Sequence, residues 1–173
     1  KKAFIVTDAN LFEMGMCQPV IDQLTEMGIA TSIFYDIRVD PQIQDAMKGL
    51  PAMHEFQPDV IIAIGGGSAI DTAKIMWLMY EHPEEDFLDL ATVFIDIRKR
   101  VYEFPKMGIK AKLVCIPTTA GTGSEVTAFS VITDHSRNYK LTVFSYKLIP
   151  SYAILDAELL TTAPVSVAAA CGI

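Results

Sequence analysis

Positive charge, long apolar runs and cysteine are all scarce in this sequence. It has 14 Lys and Arg against 21 Asp and Glu, a formal net charge of −7 and no basic patch, so we predict no nucleic-acid partner. The short run Arg98-Lys99-Arg100 is typical of a solvated helix end. No apolar run is long enough to span a membrane, and the first apolar segment is too short for a signal peptide. We therefore predict no membrane partner.

The cysteines Cys17, Cys115 and Cys171 are widely spaced and form no C-x-x-C pair. This pattern favours reduced thiols in a cytoplasmic protein over a disulfide framework or a zinc site. The sequence also lacks an initiator Met, and residues 168–173 end within a helical pattern. We therefore expect the chain to be a piece of a larger protein.

Hydrophobic residues make up 51% of the 173 positions and charged residues 20%, which suits a domain with a buried α/β sheet. Short apolar segments alternate with helical patterns, which predicts a Rossmann-like, doubly wound parallel sheet with an added β-hairpin over 126–146. Helical structure from 161 onward is expected to begin a second, all-α domain, so the predicted domains are 1–160 and 161–173. The predicted strands are 3–7, 31–35, 60–64, 111–116 and 152–155, and the predicted helices are 19–27, 41–50, 69–80 and 83–105.

Several helix boundaries carry clear signals. Pro19 marks a first helical turn and Gly28 a stop. Asp40 is expected to be the N-cap of the next helix, and Pro51 is expected to break or restart it. The expected inward faces are Val20, Leu24 and Met27; Ile43, Met47 and Leu50; and Phe87, Leu90, Phe94, Ile97 and Val101.

The chain is organised around the glycine-rich turn that follows the apolar segment 60–64. Ser68 is expected to cap the helix after this turn, with Asp71 reaching back to the Ser68 amide. A helix start with free amides and a positive dipole end favours an anion, and a phosphate is the natural occupant. The alternative is a tight turn without a ligand, because the stretch is neither G-x-G-x-x-G nor a P-loop.

A second glycine-rich turn, from Pro117 to Glu125, follows another predicted strand and adds the hydroxyls of Thr118, Thr119 and Thr122. Both turns should lie at the carboxyl edge of the sheet, where together they would suit a diphosphate-bearing ligand. Asp8 and Asp36 also follow strands. A carboxylate there can bind a ribose diol and repel a 2′-phosphate, which favours NAD over NADP. The residues alone leave the choice between these two acids open.

These motifs, in this order, resemble those of the iron-containing (group III) alcohol dehydrogenases, and the likeness covers the whole chain. The family motifs are Gly65-Gly-Gly-Ser68 with Asp71 and Lys74, then residues 117–125, then Asp156-Ala-x-Leu159 ahead of Pro164. Residues 74–83, 96–100 and 104–108 resemble one branch in particular, the alcohol dehydrogenase half of the bifunctional aldehyde-alcohol dehydrogenases.

The resemblance implies a set of NAD contacts. It places Asp8 on the adenosine ribose and Asp40 near the adenine end. Thr118 and Thr119 would face the adenosine side. Val131 and Lys140 would lie near the nicotinamide ribose, and Leu159 would complete the wall. The remaining contacts would line the pyrophosphate and its helix: Gly66, Gly67, Ser68, Ala69, Ile70, Asp71 and Thr122.

The family's divalent metal is bound by one Asp and three His in a helical second domain. Residues 170–173 resemble the lead-in to the first of these ligands. The ligands themselves are absent, and His54, His82 and His135 are isolated. We therefore expect no metal ligand and no catalytic residue in this chain, and we expect it to be inactive alone.

The resemblance implies reversible hydride transfer between a primary alcohol and NAD, as in fermentative ethanol formation, with Fe²⁺ as Lewis acid in the full enzyme. The expected partners are NAD(H), a small alcohol or aldehyde, and further copies in a homo-oligomer or filament. One alternative is a polyol (glycerol-type) dehydrogenase domain, against which Trp77 and Arg98 argue. Another is a module that serves mainly in assembly.

Overall fold

A computed structural model of the chain describes residues 1–92, 103–135, 138–161 and 163–172. Its centre is a five-stranded sheet made of β1 (Lys2–Val6), β2 (Ala30–Phe34), β3 (Val60–Gly65), β4 (Lys112–Pro117) and β7 (Tyr152–Ala153). The strand order is β2-β1-β3-β4-β7, and every neighbouring pair is parallel. This confirms the predicted α/β class.

A two-stranded antiparallel hairpin, seven α-helices and one 3₁₀ helix (Tyr146–Leu148) complete the described part of the fold. The hairpin was expected, and it consists of β5 (Phe129–Asp134) and β6 (Tyr139–Phe144). The helices are α1 (Ala9–Glu13), α2 (Gln18–Glu26), α3 (Ile43–Phe56), α4 (Gly67–Glu81), α5 (Phe87–Ala91), α6 (Ala157–Leu160) and α7 (Val165–Gly172).

The sheet buries both of its faces, because successive strand residues point to opposite sides. In β1, Phe4 and Val6 join the cluster that includes α3, α4 and the hairpin, whereas Ala3 and Ile5 join the cluster with α2. Helix α4 lies deepest, with every residue from Ala69 to Glu81 buried. A strand that is covered on both faces has a continuous apolar sequence, and β3 has such a sequence.

Helix α3 differs from its prediction at two points. Gln42 is its N-cap, and Asp40 lies outside the helix with φ +62°. Pro51 does not break the helix, which runs on to Phe56. Proline removes one backbone hydrogen bond. Pro51 is exposed, and the helix keeps a buried face formed by Ala46, Leu50 and Met53.

Two of the predicted inward residues face solvent instead, since Met27 is 72% exposed and Met47 is 48% exposed. Phe87 and Leu90 are buried as expected. The rest of that predicted helix face and the basic run, namely Phe94, Ile97, Val101 and 98–100, lie outside the described residues. None of the helices described is both long and apolar enough to cross a membrane.

Candidate functional site

The first glycine turn joins β3 directly to α4. Gly66 is the N-cap and the helix begins at Gly67, two residues earlier than predicted. None of the side chains that the structure describes caps this end, so the expected Ser68 cap is wrong. Gly65 has φ +153°, and a Cβ on it would lie 2.6 Å from the Ala69 Cβ, so the turn requires glycine. The first amides of α4 thus lack a capping side chain among the described residues.

The second glycine turn packs against the first. Pro117 pairs with Gly65 in the sheet, and the Thr118 amide donates to the Gly65 carbonyl at 3.0 Å. A Cβ on Gly66 would lie 3.2 Å from Thr119 Cγ2, and one on Gly67 would lie 3.2 Å from Thr122 Cγ2. The predicted convergence of the two turns at one edge of the sheet is therefore confirmed.

The convergent turns form a cradle whose chemistry fits a phosphate. Glycine at 66 and 67 lets the side chains of Thr119 and Thr122 approach the start of α4, where the described residues provide no side-chain cap for the first amides. Thr119 Oγ1 is buried and has no hydrogen-bond partner in the described residues. Buried hydroxyls are normally paired, so Thr119 Oγ1 has a hydrogen-bond donor left for a bound group. Thr118 is also buried, while Thr122 is exposed.

Asp8 lies beside the first turn. Its Oδ1 accepts from the Leu11 amide at 3.1 Å and caps α1, a short helix that the sequence analysis missed. Its Oδ2 lies 3.7 Å from the Cβ position of Gly65. The strand order reverses between β1 and β3, so Asp8 and Gly65 flank the switch point where ligands bind in such sheets.

Asp36, the other candidate acid, is engaged elsewhere. Lys48 Nζ lies 2.8 Å from its Oδ2, and this hydrogen bond from Lys48 lowers the pKa of the exposed Asp36 carboxyl. Asp36 follows β2, and β1 lies between β2 and β3, the strand that leads into the glycine turn. Asp8, next to Gly65, is therefore the nearer of the two acids to that turn.

The Asp71 side chain turns away from the helix start. Its Oδ2 accepts from the Val131 amide at 3.0 Å, so the predicted contact with the Ser68 amide is wrong. Burial raises the pKa of the Asp71 carboxyl, against the lowering effect of the Val131 amide. Its neighbours Ala69 and Ile70 are buried in the helix. The carboxylate thus joins α4 to the hairpin.

The outer face of the hairpin carries Lys140 and Val131. Lys140 is 68% exposed, and its Nζ lies 3.7 Å from Asp40 Oδ1. Asp40 also accepts a hydrogen bond from Thr133 Oγ1, which is the main reason that its pKa is lowered. The resemblance implies opposite ends of the cofactor for Asp40 and Lys140, whereas in the structure their side chains lie together beside the hairpin.

Leu159 lies on the opposite face of the sheet. It packs against the cluster that contains Ile64 and Ile116, beside α2. Leu159 therefore lies on one face of the sheet, and the hairpin that carries Val131 and Lys140 lies on the other. An extended ligand that crosses the edge of the sheet at the turns would reach both faces.

The sequence gives Lys74 only as part of a motif, and the structure places it close to the site as a buried side chain with several hydrogen bonds. It is fully buried on α4 and donates three hydrogen bonds to the chain at the start of β5. Its position inside the apolar stretch 69–80 could have indicated this role from the sequence, because a lysine is almost never buried without partners.

No group of three His, Cys, Asp or Glu side chains within the described ranges could hold a metal ion. A cleft of about 630 Å³ lies on the outer face of the hairpin, next to Lys140, and its walls include Phe129, Phe144 and Tyr146. None of its lining residues belongs to the glycine turns.

Comparison with known proteins matches residues 1–157 to the family "Iron-containing alcohol dehydrogenase". The chain is 49% identical over 169 residues to the bifunctional aldehyde-alcohol dehydrogenase AdhE of Escherichia coli K12, covering 98% of this chain and 19% of that protein. It is 54% identical over 157 residues to aldehyde-alcohol dehydrogenase 2 of Entamoeba histolytica, covering 90% of this chain and 18% of that protein. An iron-containing alcohol dehydrogenase structure from Thermococcus thioreducens aligns with TM-score 0.86 at 31% identity, over 96% of this chain and 43% of that one.

The chain thus spans about a fifth of the length of these two aldehyde-alcohol dehydrogenases. Two further relatives are named for different cofactors. One is an NADPH-dependent butanol dehydrogenase of Clostridium saccharobutylicum, 40% identical over 95% of this chain and 40% of that protein. The other is an NAD-dependent methanol dehydrogenase of Bacillus methanolicus, 35% identical over 99% of this chain and 42% of that protein.

Proposed function

Because the chain belongs to the iron-containing alcohol dehydrogenase family, we propose that it is the part of an alcohol dehydrogenase that binds NAD(H) across the two glycine-rich turns. The observation that carries this proposal is the convergence of Thr119 and Thr122 on Gly66 and Gly67, with the buried Thr119 hydroxyl unpaired among the described residues. The amides and hydroxyls of this cradle suit a diphosphate, which a dinucleotide places at its centre.

The two faces of the sheet would receive the two halves of the cofactor. The adenosine half would lie on the α2 face, with its ribose at Asp8 and its base near Thr118, Thr119 and Leu159. The diphosphate would lie on residues 66–70 with Thr122. The nicotinamide ribose would lie on the hairpin at Val131 and Lys140, with Asp40 beside them rather than at the adenine end.

Asp8 supports NAD rather than NADP as the cofactor. Its Oδ2 faces the glycine turn, where it can accept hydrogen bonds from the adenosine ribose diol. The same charge would repel a 2′-phosphate. Named relatives include both an NAD-dependent and an NADPH-dependent enzyme, so the preference of this chain for NAD or NADP has to be argued from its own residues.

The proposed reaction is reversible hydride transfer between NAD and a small primary alcohol or its aldehyde. The described residues would orient the nicotinamide for this transfer and hold the diphosphate. The family name implies iron, but the described residues contain no cluster that could bind it, so we derive no step through the metal. We propose that its ligands, and the helical domain that begins near residue 161, belong to the full-length enzyme.

The substitution Asp8→Asn tests the cofactor assignment. Asn keeps the cap on α1 but removes the charge, so the fold should be preserved. NAD binding should weaken about tenfold, because hydrogen bonds to a charged acceptor are the stronger ones. NADP binding should tighten relative to NAD, because the repulsion of the 2′-phosphate is lost. Titration calorimetry with both dinucleotides measures the two affinities.

Asp36→Asn is the matched control. It removes a carboxylate that follows the neighbouring strand and lies beside Lys48, and it should leave both affinities unchanged. If Asp8→Asn leaves the preference between NAD and NADP as it was, Asp8 does not bind the ribose. If the unmodified chain binds neither dinucleotide, the proposed function itself is wrong.

A further inference from the structure

Lys74 links α4 to the strand that begins the hairpin. Its Nζ donates to the Thr127 carbonyl at 2.7 Å, to Thr127 Oγ1 at 3.1 Å and to the Phe129 carbonyl at 2.7 Å. An ammonium group has three donors, and all three are used. Lys74 is fully buried, so these bonds replace its hydration completely.

Asp71 reinforces the link one helical turn earlier. Its Oδ2 accepts from the Val131 amide at 3.0 Å, and its backbone carbonyl accepts from Ser130 Oγ at 2.8 Å. Residues three apart on a helix lie on the same side, so Asp71 and Lys74 reach the same strand. Together they hold residues 127, 129, 130 and 131 in succession.

These contacts select one register of β5 against α4. If β5 slipped by one residue, Lys74 would lose its hydrogen bond to the Phe129 carbonyl and Asp71 would lose its hydrogen bond from the Val131 amide. The slip would also move the Val131 side chain to the other face of the hairpin. Burial lowers the pKa of Lys74 and raises that of Asp71, so each charge is costly in this position. Apolar residues of similar size often stabilise a core equally well, whereas a polar pair can specify a single arrangement.

We propose that Lys74 and Asp71 are positioning residues that fix the hairpin, and with it Lys140 and Val131, at a set distance from the diphosphate turn. This inference rests on the proposed function. Helix α4 begins at that turn, and Lys74 lies seven residues after Gly67, or ~10 Å along the axis. A ligand that contacts both the turn and the hairpin depends on that spacing, but a ligand confined to the turn does not.

The substitution Lys74→Met tests the inference, with ADP and NAD as ligands. ADP carries the adenosine and the diphosphate, while NAD also reaches the hairpin. We expect NAD to bind about tenfold more weakly and ADP to bind within about twofold of its original affinity. Thr72→Val is the matched control. Thr72 is buried on the same helix, but its hydroxyl donates to the Ser68 carbonyl within α4, so neither affinity should change.

A double-mutant cycle separates positioning from general stability. If Lys74 acts through Lys140, then Lys140→Met alone should weaken NAD binding. The double variant should then lose less NAD affinity than the two single variants lose in sum. Ser130→Ala removes one link only and should shift the NAD affinity in the same direction, which keeps the test usable if Lys74→Met does not fold.

An equal loss of ADP and NAD affinity in the variants, or no loss of either, would overturn the positioning role. Fully additive penalties in the cycle would also overturn it. Failure of the unmodified chain to bind ADP and NAD at all would instead refute the proposed function, so the two failures can be told apart.

Discussion

The thiols of Cys17 and Cys115 are buried, and burial raises the pKa of both, to about 12 for Cys115. Since the thiolate is the nucleophile, we predict that neither reacts with the disulfide reagent DTNB in the folded protein at pH 8. Cys171 is only half-buried and should react first. Release of the coloured product over time, with and without urea, counts the thiols. Rapid reaction of Cys115 in the folded chain would show that β4 is not packed as described.

Single residues also mark the limit of what the sequence could predict. Asp8 lies two residues after the end of β1, and its position at the sheet edge follows from that local pattern. Asp71 was assigned to a contact three residues away, but its partner Val131 lies 60 residues further along the chain. A local motif can predict a cap, but a competing partner from a distant strand is decided only by tertiary packing.

At the scale of elements, α4 connects the site to the rest of the sheet. Glu81 at its end accepts from Trp77 Nε1 and from the amides of Ile109, Lys110 and Ala111, at 3.0 to 3.2 Å. Gln in its place would point an amide group at backbone donors. We predict that Glu81→Gln lowers the free energy of unfolding by about 2 kcal/mol or more, measured by urea denaturation.

Glu55→Gln is the control for this substitution. Glu55 lies on the exposed side of α3, so its replacement should change the free energy of unfolding by less than about 0.5 kcal/mol. If both variants are equally stable, the four donors do not depend on the Glu81 charge.

The strands were predicted more accurately than the helix starts. The run 60–64 is apolar throughout because β3 is buried on both faces, and the structure extends it by only one residue. Helix α3, by contrast, begins after Asp40, because Asp40 is engaged by Thr133 and Lys140 of the hairpin. Its continuation through Pro51 reflects the packing of the buried face, which propensity alone does not contain.

For the whole molecule, topology brings the two turns together. Strands β3 and β4 are neighbours in register, with Gly65 opposite Pro117, so the loops that follow them must meet at one edge. Alternation of strands and helices predicted this arrangement, because parallel strands end on the same side of a sheet. The attachment of the hairpin to α4 through Lys74 could not be predicted, since no local pattern encodes it.

The central claim is that both turns belong to one dinucleotide site, and amide proton–nitrogen correlation spectra of the chain during NAD titration test it most directly. We predict that the amide resonances of Gly66, Gly67 and Thr119 shift together and fit a single dissociation constant. ADP should shift the same resonances. If saturating NAD shifts the resonances of one turn alone, or of neither turn, the claim is contradicted.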